Sequence, residues 1–297
     1  MKKRFFLLTA AIICAGMLAQ AQIKPTFNPV KGETYTYRTV ANQKFNQSFS
    51  GQSMNVNSVI EFLTEMKIIE KTGNEVSVDY IYKEMVMELT NPMINIKVDT
   101  KNKDANASEL DKLIGNIFDC FLGKTIQVTF LQDGSVKSIT GHDVIMSDIQ
   151  KILASANVIE KQMANAFLQS FGEEGIKSSF EQMFKIYPDK EIKNGGSWSK
   201  DLVLTLGAGM SSDVKNTYTL KSVSNDIALL DITSTLNMKM PGSEGGITGE
   251  QKGDMKLNVK TGMPVQSKSE GTAKGKMTAQ GMEITIEMIV QTTSTLQ

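Results

Sequence analysis

The sequence predicts a mainly β, α+β fold: curved antiparallel sheet from two β-rich halves, with a long helical connector packed on the concave face. Three observations predict it. Most of the chain alternates apolar and polar residues with period two, the mark of half-buried strands. One stretch, 143–187, breaks that period: Ile145, Ile149, Ile152, Ala156, Ile159, Met163 and Ala166/Phe167 step by four and three, which is one stripe of a helix. Long antiparallel strands have one face to bury and the helix has one stripe to bury, so the simplest arrangement lays the stripe on the sheet.

The elements follow in order. Gln22 to Val30 reads as a polar lead with Pro25 and Pro29, a linker rather than core. Gly32 opens the first strand, with Tyr35 and Tyr37 on one face, and the Asn/Gln/Ser-rich 41–57 reads as strand passing into an edge or loop. Val56 to Glu70 is a long strand, turned at Gly73-Asn74 into a partner carrying Val76, Val78, Tyr80 and Tyr82. Asn91-Pro92 ends that partner, and Ile94, Ile96 and Val98 form a short strand. Ser108 caps a short helical insertion near 109–121. Residues 125–131 and 135–140 make a hairpin about Asp133-Gly134. Gly172 and Gly175 interrupt the connector, a second helix carries Ile176, Phe180 and Met183, and Tyr187-Pro188 ends it. Beyond it, 188–297 is strand after strand, with loops expected at 207–213 and 241–246. The divisions are therefore 1–21, 22–142, 143–187 and 188–297.

Residues 1–21 read as an export signal: Lys2, Lys3 and Arg4, then an apolar run from Phe5 to Leu18, then Ala19-Gln20-Ala21 as a cleavage site. The run is shorter than the ~20 residues a membrane span needs. A lipoprotein reading rests on Cys14, but Ile12-Ile13 precedes it where a lipobox requires a small residue. No later stretch is apolar enough to span as a helix, so a periplasmic or extracellular protein is expected. Loss of the signal removes three of 32 basic residues against 32 acidic ones, and leaves Arg38 as the one arginine. That balance disfavours nucleic-acid binding and dedicated phosphate clamps. Cys120 then has no partner for an intramolecular disulfide and sits among Ile117, Phe118, Phe121 and Leu122, as a buried thiol would.

Little in the sequence bears catalytic chemistry. His142 is the lone histidine, beside Asp143 at a strand–helix junction, where capping or surface roles are commoner than catalysis. There is no Cys/His cluster for zinc and no Gly-x-Ser-x-Gly elbow. The glycine-rich stretches lack the Lys-Ser/Thr and helix of a phosphate cradle. Methionine is the unusual count, at 18, with Met238, Met240, Met255, Met263, Met277, Met282 and Met288 on or beside second-half strands. Met fills cores, and it also suits pockets for variable apolar ligands.

Three features recur on either side of the connector. Gly32-Glu33-Thr34-Tyr35 resembles Gly196-Ser197-Trp198, Met66-Lys67-Ile68-Ile69 resembles Leu220-Lys221-Ser222-Val223, and the 123–141 hairpin resembles 253–271 with its Thr261-Gly262 turn. Duplication would explain this, as would the general likeness of antiparallel strands. The Lys31-Gly32-Glu33-Thr34-Tyr35 opening, the Leu131-Gln132-Asp133-Gly134-Ser135-Val136 hairpin, Tyr187-Pro188 followed by Gly195-Gly196-Ser197-Trp198-Ser199, Thr217-Tyr218-Thr219-Leu220 and Lys260-Thr261-Gly262-Met263-Pro264 together resemble an uncharacterised family of exported Gram-negative envelope proteins, a domain of unknown function. These are turn and strand signatures, so the resemblance implies fold and carries no catalytic residue. In architecture alone the pattern is also similar, remotely, to periplasmic lipoprotein-carrier folds.

The functional expectation is a non-enzymatic exported protein holding a lipid or other apolar ligand between sheet and helices. Tyr80, Ile149, Met163, Met255 and Met288 are the candidate lining, and no cofactor or metal is expected. The alternatives are a structural module that pairs with an envelope protein through a sheet edge, and an unrecognised hydrolase.

Overall fold

The computed structural model describes residues 22–49, 52–168, 171–205, 210–239, 243–279 and 282–297. The period-two stretches are strands. In order the elements are β1 (Gln22–Ile23), β2 (Thr34–Phe49), β3 (Gln52–Thr72), β4 (Glu75–Thr90), β5 (Asn95–Asp99), α1 (Glu109–Asp119), β6 (Thr125–Leu131), β7 (Val136–Thr140), α2 (His142–Ala154), α3 (Val158–Leu168), α4 (Glu173–Phe184), β8 (Ile192–Lys193), β9 (Ser197–Thr205), β10 (Ser211–Ser224), β11 (Ile227–Lys239), β12 (Glu244–Asn258), β13 (Pro264–Ala279) and β14 (Met282–Leu296). The side chains of Phe49, Ile159, Met163, Ala166, Phe167, Ala279 and Met282 lie outside the described residues, as does the whole of the expected signal, 1–21.

Among the described residues twelve strands form one sheet in the order β7-β6-β4-β3-β2-β14-β13-β12-β11-β10-β9, with β5 added beside β4; β1 and β8 make a separate small ladder. The two β-rich halves are joined within this sheet. β14 pairs antiparallel with β2 from Ile284↔Phe49 to Leu296↔Tyr37. The sheet is not closed into a barrel: its two edges, β7 and β9, are the strands that flank the helical segment in sequence. Helix α4 packs against both edges. Each edge gives it a backbone N–H: Val136 donates to Glu181 Oε1 at 3.2 Å, and Thr205 donates to Ser178 Oγ at 3.3 Å. On β5, Lys97 N–H donates to Asp111 Oδ1 at 2.9 Å at the start of α1. Unpaired edge groups invite pairing with another chain, and here a helix side chain takes one backbone donor on each of β7, β9 and β5.

The helical segment lies on the concave face, but not as one rod. It is three helices, α2, α3 and α4, with a break at Ser155–Asn157. The break has a local cause. Asn157 Oδ1 accepts from Glu160 N–H at 3.0 Å, and Glu160 Oε2 accepts from Asn157 N–H at 2.8 Å, a capping box that starts a new helix. α2 buries Ile145, Ile149 and Leu153, whereas Ile152 is only partly buried. The capped insertion is as expected: Ser108 Oγ accepts from Asp111 N–H at 3.1 Å, and the Asp111 carboxylate accepts from Ser108 N–H.

Three local expectations are corrected. Of the Asn/Gln/Ser-rich 41–57, the described residues 41–49 and 52–57 are neither edge nor loop, since β2 and β3 each have partners on both sides. Of the loops expected at 207–213 and 241–246, residues 211–213 and 244–246 are strand, in β10 and β12, while 207–209 and 241–242 lie outside the described residues. The lead 22–30 contributes to the core: Pro25, Phe27 and Pro29 are buried, and Phe27 is fully enclosed. Its ring lies 5.0 Å from Phe130 and 5.1 Å from Phe184. Phe27 N–H donates to Gln132 O and Asn28 N–H to Thr261 O, both at 2.9 Å, so this strap ties the β6–β7 turn to the β12–β13 turn.

The halves repeat one device. Gly32 N–H donates to Ile68 O and Ile68 N–H to Glu33 O, each at 2.9 Å; Gly195 N–H donates to Leu220 O at 2.7 Å and Leu220 N–H to Gly196 O at 3.0 Å. A bulge follows each anchor, between Ile68 and Glu70 and between Leu220 and Ser222. Ile68 thus corresponds to Leu220, two residues away from the alignment the sequence suggests. Gly134 and Gly262, at φ +81 and +71, complete the match. A Cβ on Gly134 would overlap the Phe184 carbonyl oxygen, and one on Gly262 the Thr26 carbonyl oxygen. Each turn lies beneath a segment that leads into the other half.

Candidate functional site

Cross-strand register decides which residues share the concave face. On the first half it carries Phe62, Tyr80 and Tyr82, with Tyr80 opposite Met66 and Tyr82 opposite Thr64. The helical side meets them with rings: Tyr80–Phe180 at 4.8 Å, Tyr82–Phe121 at 5.8 Å and Phe62–Phe171 at 6.4 Å. The ring chain runs on through Phe180–Phe130 at 5.6 Å to the Phe27 strap. Edge-to-face contacts dominate, the arrangement ring quadrupoles favour. Polar tips of the aromatic residues near the strap end on turn carbonyls: Tyr37 Oη donates to Pro264 O at 2.8 Å, Tyr187 Oη to Gly262 O at 2.7 Å and Trp198 Nε1 to Ile186 O at 2.7 Å. Burial pushes the Tyr80 phenol up to about 12 and Tyr82 well above its ordinary value, so both remain neutral donors at neutral pH.

Of the residues expected to line a ligand site, Tyr80, Ile149 and Met255 belong to this one helix-packed core: Ile149 is 0 % exposed and Met255 7 %. Met288 does not. It packs on a second cluster, Met238, Ile247, Ala273 and Met277, which among the described residues is built from strand residues. The side chain of Met163 lies outside the described residues. A third cluster, Leu202, Leu204 and Val214 with Leu236, lies alongside on β9–β11.

A polar belt separates the helix-packed core from these two strand-built clusters on the same face. Thr39 and Ser294 hydroxyls meet at 3.0 Å, Gln251 Nε2 donates to Ser269 Oγ at 2.6 Å, and Asn216 Nδ2 donates to Tyr218 Oη at 3.3 Å. Beyond the belt, towards the end where β13 stops and β14 starts, the face is apolar again. Glycines sharpen its curve: a Cβ on Gly249 would meet Ala273 Cβ and Leu236 Cδ1 at 2.6 Å. Ser212, 1 % exposed, sits in this band opposite Leu204 and Met238, and its hydroxyl has no hydrogen-bond partner among the described residues. Ser212 falls in the stretch expected to be a loop, 207–213; the period-two series Ser212, Val214, Asn216, Tyr218, Leu220 is the signal that it belongs to a strand.

Two open depressions, of about 620 and 480 Å3, lie along this end of β9–β12. The smaller mixes outward Asp201, Asp213 and Lys215 with inward Leu202, Val214 and Leu236. Neither is lined by Tyr80, Ile149 or Met255. Among the described residues no group of three or more His, Cys, Asp or Glu side chains could hold a metal, and no helix is long and apolar enough to cross a membrane. His142 opens α2 with Nδ1 buried and unpartnered. Burial raises the Cys120 thiol pKa, with Asp148 and Asp119 adding to it, which keeps it the weakly reactive thiol. Arg38 is tied on the opposite face to Glu61, and to Glu84 at 3.3 Å.

No curated protein matches the chain in sequence. Among solved structures, Pseudomonas aeruginosa OpdQ aligns over 89% of this chain and 99% of its own at 9% identity, with a TM-score of 0.23. The COG4313 outer membrane channel from Pseudomonas putida F1 aligns over 91% and 98% at 7% identity, with a TM-score of 0.26. Superpositions this poor carry no argument about fold or role. The model of DUF6263, described as a family of unknown function, matches residues 73–264, from the β3–β4 turn through the helices to the first residue of β13. The chain belongs to the DUF6263 family.

Proposed function

We propose that this is an exported, non-enzymatic binding protein that holds an apolar chain, such as the acyl chain of a lipid, on the strand-built band of its concave face. One observation carries the reading: among the described residues, an apolar cluster containing Met238 and Met277, with Met288 packed on it, is separate from the helix-packed core and includes no helix residue. A sheet that buried apolar side chains only for stability would set them under its helices, as Tyr80 is set against Phe180. Methionine suits a band that must fit chains of differing shape. The site between sheet and helices expected from sequence therefore moves along the same face, from Tyr80 and Ile149 towards Met288.

The opposite face supports a water-soluble carrier. Lys252, Lys256, Lys268, Glu270, Lys274, Lys276 and Glu283 are exposed there, where a lipid-facing surface needs an apolar band. Export is the reading of residues 1–21. Pairing through a sheet edge is less favoured, because α4 takes a backbone donor from each edge. Native mass spectrometry of the full-length precursor's processed product, purified from envelope extract without detergent, tests the proposal. A mature mass carrying one adduct of lipid size is expected. A bare mass that takes up no added fatty acid would overturn it.

A further inference from the structure

We infer that the ligand is an amphiphile whose oxygen-bearing group, a hydroxyl, carbonyl or carboxyl, hydrogen-bonds to Ser212. The inference rests on the apolar-ligand reading and goes one step further, to the chemical class. Ser212 is 1 % exposed, and its hydroxyl is a buried polar group with no partner among the described residues. Native proteins pair the large majority of such groups, so one left open inside an apolar band is a place for a ligand's polar atom. Its surroundings make the hydroxyl conspicuous. Direct strand neighbours are Leu204 and Met238, and the next residue on its face is Val214, all buried. Ser212 thus sits where the two strand-built apolar clusters meet, the only hydrogen-bonding side chain among these four. A pure hydrocarbon would leave that hydroxyl unsatisfied; a ligand oxygen would satisfy it, with serine donating to a carbonyl or carboxylate, or accepting from an alcohol.

Two consequences separate this from a structural serine. Without ligand, Ser212→Ala removes an unsatisfied group, so the melting temperature holds or rises. With ligand, the same change weakens binding only where the ligand carries oxygen. The experiment measures displacement of a fluorescent apolar probe by octan-1-ol, octanoate and 1-chlorooctane, on wild type and Ser212→Ala, with melting of both proteins unliganded. The expected result is a loss of about three- to tenfold for octanol, octanoate or both, the worth of one hydrogen bond, with chlorooctane unchanged. Equal loss for all three, or no loss for any, would overturn the Ser212 assignment while leaving the apolar site standing. A wild type that binds neither probe nor any of the three would sink both.

Discussion

Replacing Phe27 by alanine tests how the chain holds its sheet together. As a linker residue Phe27 would be dispensable. In the fold it is 0 % exposed, in contact range of the Phe130 and Phe184 rings, while its own N–H reaches the β6–β7 turn. A buried Phe→Ala costs about 3–5 kcal/mol from lost transfer energy and the cavity left behind. Total stabilities run only about 5–15 kcal/mol, so this is a large fraction. At about 2–4 °C per kcal/mol for a domain approaching this size, the melting temperature falls by roughly 6–20 °C. Trp198 is the natural reporter. It is the only tryptophan, bonds to Ile186 O beside Tyr187, and stacks on Tyr218 at 5.5 Å. Its fluorescence in a denaturant titration should give one transition at a lower midpoint. Val30→Ala, at a site 49 % exposed, is the control and should move stability by less than about 0.5 kcal/mol. If Phe27→Ala behaves like the control, the strap is not part of the core.

Burial raises the phenol pKa of all six tyrosines, Tyr35 and Tyr80 to about 12. A phenol with a higher pKa folded than unfolded contributes its stability in full below about 10 and loses it as pH rises towards 12. Ultraviolet difference spectra at pH about 10 should show tyrosinate in the urea-unfolded chain and almost none in the native one; half-ionised native tyrosine would contradict this. Gly134→Ala places a methyl on the Phe184 carbonyl at a left-handed φ, so it should cost more than about 4 kcal/mol in chemical denaturation; a neutral result would mean the turn does not sit under α4. Glu181→Ala strips the acceptor from the Val136 N–H and should cost about 1–3 kcal/mol, with more self-association on light scattering as the β7 edge is uncovered; unchanged scattering and stability would show that α4 does not guard that edge.

Much of this architecture was legible because it is written in local chemistry. The Asp133-Gly134 turn, the Ser108 cap and the alternating second-half strands each specify themselves within a few residues. The helix break was also written locally, as Asn157-x-x-Glu160, but the Ile stripe running across it favoured one rod. Long-range facts were not legible. Phe27 sits between prolines in a segment with no ladder of its own, and only contacts more than a hundred residues away make it core. The pairing of β14 with β2 joins opposite ends of the chain through Thr, Ser, Gln and Asn, residues that resemble an edge until a partner strand is placed beside them. The candidate site was half legible. Methionine counts pointed to the second-half strands, while the division between helix-packed core and strand-built band depends on which strands the helices cover. Ser212 was hidden by the loop-like run of small residues that precedes it.

Photolabelling locates the ligand most directly. A fatty acid bearing a diazirine in its chain, bound to the purified protein and irradiated, is mapped by peptide mass spectrometry. The strand-built band predicts label on β11–β14 peptides containing Met238, Met277 or Met288. Label confined to peptides containing Tyr80 or Ile149, or no label that competing fatty acid suppresses, would contradict it.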